Sequence, residues 1–291
     1  LFILDSTDPN YLAHAINGDL ASTLVVVSSK SGSTIETSSA RAAFADAFVQ
    51  AGLAVADHMV VVTDPDSPLD RDARAQGLSV INADPHVGGR FSALTAFGLT
   101  PAALMGVDAS VLLDQASDCR ELMKTNPDVV IDVAYLLLTQ AEQFLGFTDS
   151  GSKFPGLSDW IEQLIAESTG KEEQGRLPIA TESFKEAAMG GAFSVAFAPG
   201  ADLTVEAELG EHFLFWEWVT ALLGAALEID PYNQPNVTEA KEATSAVLAE
   251  WNNSLPVITT ANSEDNVEIF GDGNTLVAAL KNLIANTDAD G

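Results

Sequence analysis

The sequence predicts an α/β protein with parallel sheets and helices on both faces. Short all-apolar runs that suit buried strands alternate with stretches of good helix formers. With 291 residues, 47% of them hydrophobic, the chain is long enough to bury the cores of two such domains. Between one apolar run and the following helix lies a hydroxyl-rich turn, residues 28–37, whose composition suits an anion-binding loop.

Apolar runs bounded by turn residues define the strands of the first half. Residues 24–27 and 59–62 are short, rich in valine and followed by Ser, Gly, Asp or Pro, as is typical of buried strands. The predicted elements, in order, are strand 1–4, a helix near 11–15, strand 24–27, helix 34–50, strand 59–62, helix 69–76, strand 78–82, a helical stretch 88–97 that residues 99–101 break, and helices to about 124.

A second series of similar elements begins after residues 125–127, so we place a domain boundary there. The apolar run 213–229 contains two glutamates, which favours a buried helix over a membrane span. The predicted elements are helix 128–145, helix 158–167, strands 177–179 and 193–197, a further candidate strand 203–208, helix 211–227, helix 235–251, two strand-like runs after residue 256 and helix 275–284.

The turn at 28–37 has the layout of a phosphate site. A strand precedes it, and Ser33 and Glu36 have the spacing of a capping box that starts a helix near Thr34. A helix N-terminus offers backbone N–H groups and about half a positive charge to an anion. A well-capped turn without a ligand is the alternative on this stretch alone.

Charge and cysteine content limit the partners. The formal net charge of −29 argues against nucleic acid and anionic membranes as partners, since both require a basic surface. The single Cys119 allows no internal disulfide and fits a reducing, cytoplasmic compartment. No stretch has the features of a signal peptide. Leu1 falls inside an apparent strand, so we expect the sequence to be a fragment that begins within a domain.

Four motifs together resemble the glucose-6-phosphate isomerase family. Each is weak alone, but all four occur in the family's order within roughly residues 1–250. They are SSKSGSTIET at 28–37, GGRFS at 88–92, ESTGK at 167–171 and NQPNVTEAK at 233–241. The sequence is most similar to the isomerase part of the bacterial form that is fused behind a transaldolase.

This resemblance implies the interconversion of glucose 6-phosphate and fructose 6-phosphate through a cis-enediol, without metal or organic cofactor. It also implies two flavodoxin-like sugar isomerase domains of the SIS type, with the site between them. On this basis residues 1–125 form the first domain, 126–254 the second and 255–291 a C-terminal extension. A covalently attached transaldolase and an oligomeric assembly are compatible with it.

In this family the hydroxyl-rich loop binds the sugar phosphate. The resemblance therefore assigns the phosphate to Ser29, Ser31 and Thr34, with the backbone amides of Lys30 and Ser31.

The resemblance also assigns the chemistry. Gly89 lets the backbone approach the ligand, and Arg90 stabilises the enediolate. Glu167 is the base that moves the proton between C1 and C2. Gln234 orients the substrate, and Lys241 assists ring opening. Each residue also has an ordinary alternative role as a cap, a helix end or a solvated charge.

The sequence departs from the family in two ways: it lacks a glycine-rich segment that also contacts the phosphate, and it offers no match for the family's ring-opening histidine. The family's glycine-rich segment, which precedes the first predicted strand, is absent. No histidine lies between Glu167 and Glu211, and His212 on the apolar helix does not match the family's ring-opening residue. Whether this stretch turns over by itself stays open.

Three classes of function remain. The first is an isomerase, and the second is a non-catalytic sugar-phosphate-binding module of the same fold. The third is a structural anion-binding domain. Glu167 together with Arg90 and Lys241 favours the first, because a binding module has no need of a base.

Overall fold

The computed structural model describes residues 2–4, 6, 8–32, 34–141, 144–251 and 262–287, with the backbone alone for 236 and 238. The chain divides into two compact units, Leu1–Gln234 and Pro235–Gly291. The first unit holds two separate parallel sheets, and the second holds an antiparallel pair of strands.

The first sheet has three parallel strands in the order β1-β2-β3. These are β1 (Val25–Ser28), β2 (Met59–Thr63) and β3 (Ser79–Asn82). The helices of this half are α1 (Pro9–Ile16), α2 (Ile35–Gln50), α3 (Val55–His58), α4 (Pro68–Ala75), α5 (Ala96–Leu104) and α6 (Ala109–Thr125), with 3-10 turns at Leu20–Ser22 and Gly89–Phe91.

The second sheet has four parallel strands in the order β5-β4-β6-β7. They are β4 (Phe144–Thr148), β5 (Leu177–Thr181), β6 (Phe193–Ala196) and β7 (Leu203–Thr204). The helices of this half are α7 (Asp128–Thr139), α8 (Leu157–Thr169), α9 (Phe184–Met189) and α10 (Leu209–Ala226).

Each sheet of the first unit has its own hydrophobic core. Phe48 of α2 and Val61 of β2 are completely buried in the first cluster. In the second cluster, Phe147 of β4 packs edge-on against Trp216 of α10, with ring centroids 5.4 Å apart. The parallel strands direct the loops that follow them to one edge of each sheet, which is where ligands bind in open α/β sheets.

The second unit contains α11 (Pro235–Glu250), β8 (Asn262–Glu264), β9 (Val267–Ile269) and α12 (Leu276–Asn286). The hydroxyl of Thr275 caps α12 by accepting a hydrogen bond from the Ala278 N–H at 3.2 Å. These elements agree with the predicted helices at 235–251 and 275–284 and with the two strand-like runs. The predicted domain boundaries at 125 and 254 stay predictions.

The predicted helix at 128–145 is wrong at its end, because residues 144–148 form the strand β4 at the centre of the second sheet. A buried parallel strand is continuously apolar, so hydrophobic periodicity cannot separate it from a preceding buried helix. The short helix α9 is also absent from the predicted elements, and β7 is shorter than predicted.

Three further predictions in the first half are wrong. The predicted helical stretch 88–97 is only a 3-10 turn at Gly89–Phe91, and the next helix, α5, begins at Ala96. Residues 2–4 form no strand, although Leu4 packs against the first core cluster. The predicted break at residues 99–101 does not occur, since α5 continues through Pro101. A proline removes only its own N–H from the helix, and the Met105 N–H still donates to the Pro101 carbonyl at 3.1 Å.

Candidate active site

The loop between β1 and α2 forms a tight turn beside the end of β2. The Ser29 N–H donates to the Val62 carbonyl at 3.1 Å, and the Gly32 N–H donates to the Ser29 Oγ at 3.0 Å. Gly32 has φ of +74°, and a Cβ built there would lie 2.4 Å from the Leu69 Cβ. Backbone conformation and space therefore both require glycine at this position.

The hydroxyl side of this loop lies at the start of the 16-residue helix α2. Thr34 is the N-cap residue, it is exposed, and its side chain makes no capping hydrogen bond. Ser31 is exposed as well, and Ser29 and Lys30 are half-buried. The capping role predicted for Ser33 lies outside the described residues. The structure thus places Ser29, Ser31 and Thr34 near a helix N-terminus, where hydroxyl and N–H groups can bind a dianion.

Arg90 lies in the turn Gly89–Phe91, and its side chain is fully enclosed. Its Nε donates to the Ser168 Oγ at 2.7 Å, and its Nη2 donates to the carbonyls of Pro231 at 2.6 Å and Asn233 at 3.1 Å. Its Nη1 forms an ion pair with the Glu167 carboxylate at 3.1 Å. Burial lowers the pKa of Arg90, and the charge of Glu167 opposes this shift.

Glu167 is positioned by the last turn of α8. Its side chain is 28% exposed; Arg90 pairs with one carboxylate oxygen, and the Gln163 amide nitrogen lies 3.5 Å from the other. Gly89 leaves room nearby, since a Cβ built there would meet no protein atom within 4 Å. Protein packing therefore does not require the glycine, and its role of letting a ligand approach stays a prediction.

Lys171 is a second enclosed cation beside Arg90. Its Nζ donates to the Asp230 carbonyl at 2.7 Å, the Asn233 carbonyl at 2.8 Å and the Asn233 Oδ1 at 2.9 Å. Burial lowers the pKa of Lys171, and the neighbouring positive charge of Arg90 lowers it further. Both cations thus anchor the segment 230–233, which directly precedes Gln234.

The structure brings most of the predicted chemical residues together. Arg90, Glu167 and the segment leading to the half-buried Gln234 form one cluster in the first unit. Lys241 lies on α11 of the second unit and is exposed, so its part in the site stays a prediction.

Sequence reasoning gave no role to Ser168 and Lys171, which organise the Arg90 cluster, or to Asp64, which pairs with Lys30 of the loop at 29–32. Ser168 and Lys171 stand inside a motif that was already singled out, but a sequence does not show which donors meet which carbonyls. Asp64 follows β2 at the same edge of the sheet as the loop at 29–32, and that adjacency of strand ends was the available signal.

One buried group on α10 stands apart from these contacts. His212 is completely buried between the rings of Phe154 and Phe197, and neither ring nitrogen has a hydrogen-bond partner among the described residues. Burial lowers the pKa of His212 to about 4. Burial among aromatic rings accounts for His212 as a packing residue, and the identity of the ring-opening histidine stays open.

Two searches of the described residues gave no site. No group of three or more His, Cys, Asp or Glu side chains there could hold a metal ion. In the same part of the chain, no helix is long and apolar enough to span a bilayer.

Two solved structures resemble the chain in fold. A hypothetical protein from Thermus thermophilus matches with a TM-score of 0.74 and 25% identity, over 84% of this chain and 76% of that one. A glucose-6-phosphate isomerase from Chlamydia trachomatis matches with a TM-score of 0.67 and 19% identity, over 84% of this chain and 63% of that one. The chain therefore has an α/β fold of the sugar-isomerase type, as predicted.

Sequence comparison leads to a particular group of proteins. No protein-family model matches the chain. The curated glucose-6-phosphate isomerase of Citrifermentans bemidjiense is 37% identical over 185 residues, which are 59% of this chain and 34% of that relative. The chain is thus homologous to glucose-6-phosphate isomerases, which confirms the resemblance, and it spans about a third of the length of this relative. Fusion to a transaldolase stays a prediction.

Proposed function

We propose that the chain carries the catalytic residues for the interconversion of glucose 6-phosphate and fructose 6-phosphate. The observation that carries this proposal is the partly exposed Glu167 carboxylate, held against the enclosed Arg90. An accessible carboxylate fixed by an ion pair suits a base that must meet a substrate carbon in one orientation.

In the proposed reaction, Glu167 takes the proton from C2 of the open-chain aldose and returns it to C1. Between these two steps the substrate is a cis-enediol, and a hydroxyl proton passes from O2 to O1 as the carbonyl moves from C1 to C2. The enclosed guanidinium of Arg90, with the buried Lys171 beside it, favours the negative charge that develops on the substrate oxygens.

The loop at 29–32 and Thr34 bind the phosphate in this proposal, while Gln234 orients the sugar and Lys241 assists ring opening. The support for the phosphate site is the helix N-terminus with exposed Ser31 and Thr34. We also propose a cytoplasmic location, since the single cysteine, Cys119, is buried and unable to form an internal disulfide.

Turnover of fructose 6-phosphate tests the proposal directly. The 291-residue chain and the longest open reading frame that contains it are each incubated with fructose 6-phosphate, and the anomeric proton signals of glucose 6-phosphate are followed by NMR. We expect conversion with fructose 6-phosphate and none with fructose, the control that lacks the phosphate. Tight binding of fructose 6-phosphate without any conversion by either form would instead favour a non-catalytic sugar-phosphate-binding module.

A further inference from the structure

Asp64 lies where the first two strands of the first sheet end side by side. β1 and β2 are parallel, with Ser28 opposite Val62, so the loop at 29–32 and the residues after β2 share one edge. Here the Asp64 Oδ1 accepts a hydrogen bond from the Lys30 Nζ at 2.9 Å. The Lys30 side chain is 30% exposed and that of Asp64 17%, so this ion pair is partly shielded from water.

The backbone of Lys30 is held from the same side. The Lys30 carbonyl accepts hydrogen bonds from the Thr63 Oγ1 at 2.9 Å and from the Asp64 N–H at 3.3 Å. Thr63 is completely buried, and its hydroxyl lies 2.9 Å from the Ser67 Oγ that caps α4. Both the ammonium and the carbonyl of Lys30 are therefore fixed by Thr63 and Asp64.

Fixing this carbonyl orients the next peptide group. A trans peptide is planar, with its C=O and N–H pointing in opposite directions. Because the Lys30 carbonyl points toward Thr63, the Ser31 N–H points away from β2. Meanwhile the Lys30 ammonium is neutralised by Asp64 and lies 5.5 Å from the centre of the Phe97 ring.

We infer that Asp64 and Thr63 are positioning residues of the phosphate loop, an inference that rests on the proposed function. They hold Lys30 so that the loop binds the phosphate through its backbone and hydroxyl groups, and the Lys30 ammonium serves as an anchor to β2. The arrangement places a carboxylate beside an anion site, which by charge alone weakens anion binding.

The two possible roles of Asp64 predict opposite changes in phosphate affinity when Asp64 is replaced by alanine. If Asp64 acts only through its charge, replacing it by alanine removes repulsion and strengthens phosphate binding. If Asp64 positions the loop, the same replacement weakens binding, because Lys30 is released and the loop loses its orientation. Asp64→Asn keeps an oxygen acceptor for the Lys30 ammonium while removing the charge.

The test is calorimetric titration of the chain with 5-phosphoarabinonate. We expect Asp64→Ala to raise the dissociation constant at least tenfold and Asp64→Asn to stay within about threefold of wild type, since a charge-assisted hydrogen bond counts for about an order of magnitude in binding. Thr63→Val should weaken binding like Asp64→Ala, whereas Thr63→Ser, which keeps the hydroxyl, should not. Asp46→Asn, at an exposed position of α2 well away from its N-terminus, is the control for loss of one negative charge, and we expect it not to weaken binding.

Equal or tighter binding by Asp64→Ala overturns the inference. If Asp64→Ala does not fold, the Thr63→Val and Thr63→Ser pair decides, and equal affinities of those two overturn it. A wild-type chain that does not bind the ligand refutes the phosphate site of the proposed function instead. In that case hydrogen–deuterium exchange of the amides at 29–32 still decides whether Asp64 holds the loop, with faster exchange in Asp64→Ala expected and an unchanged rate contradicting it.

Discussion

Replacing His212 by phenylalanine should remove a large acid-induced loss of stability. His212 is completely buried, with the rings of Phe154 and Phe197 at 5.8 and 5.1 Å between centroids. Phenylalanine has a similar shape and needs no hydrogen bond, so it fits a site that offers His212 no partner among the described residues.

The direction follows from proton binding. In the unfolded chain histidine takes up a proton near pH 6.5, but burial lowers the pKa of folded His212 to about 4. Between these values the unfolded state binds the proton and the folded state does not, so stability falls as the pH decreases. Each pH unit in this window costs about 1.4 kcal/mol, so the whole window costs about 3 kcal/mol.

The assay is urea unfolding followed by tryptophan fluorescence at pH 7 and pH 4.5. Wild type should lose about 2–3 kcal/mol more than His212→Phe between these two conditions, since all other titrating groups are shared. A difference in unfolding free energy between the two proteins that does not change with pH would refute the reasoning.

Glu217 is one of those shared groups, and its effect has the opposite sign. Burial raises the pKa of Glu217 to about 8. Between its ordinary value of 4.5 and about 8 the folded state retains a proton that the unfolded state has lost, so this carboxyl reduces stability as the pH increases. The comparison with His212→Phe cancels this contribution because both proteins contain Glu217.

Two further predictions concern the site and the charge. Lys171→Met removes the ammonium that binds the Asp230 and Asn233 carbonyls, so it should speed amide exchange at residues 230–234 and raise the Michaelis constant for fructose 6-phosphate. The matched control is Lys185→Met on α9. Equal amide exchange in both variants would contradict the anchoring role of Lys171. Raising KCl from 0.1 to 1 M should raise the melting temperature. The 42 acidic residues far outnumber the 13 basic ones and repel one another, and the added salt screens this repulsion because the Debye length falls from about 10 to about 3 Å. NaCl should act equally, and a melting temperature that falls with either salt would contradict the repulsion.

Most strands and helices could be predicted from the local pattern of apolar and turn residues, and the elements that were predicted wrongly have physical explanations. β1, β2 and β3 were predictable because apolar runs ended at turn residues. β4 was not, because its apolar residues follow a buried helix after a short connection without Gly or Pro. In that situation only the pairing of β4 with β5 and β6, which is a tertiary contact, distinguishes strand from helix.

The residues of the candidate site came from motif resemblance, whereas the contacts among them could not be predicted from the sequence. Motif resemblance singled out Arg90 and Glu167, and the structure brings them within 3.1 Å. It gave no sign that the Arg90 guanidinium would be fully enclosed, or that Lys30 would be tied to Asp64. Both facts depend on neighbours distant in sequence, so no local pattern could contain them.

The central claim is that Glu167 is the base, and deuterium incorporation at C2 tests it most directly. Glucose 6-phosphate in heavy water is followed by NMR with the active form of the protein and with its Glu167→Gln variant. The amide keeps the size and an oxygen for Arg90 but cannot accept the proton, so affinity should be nearly unchanged while exchange falls by about 10⁴-fold or more. Exchange by Glu167→Gln at near the wild-type rate would show that Glu167 is not the base.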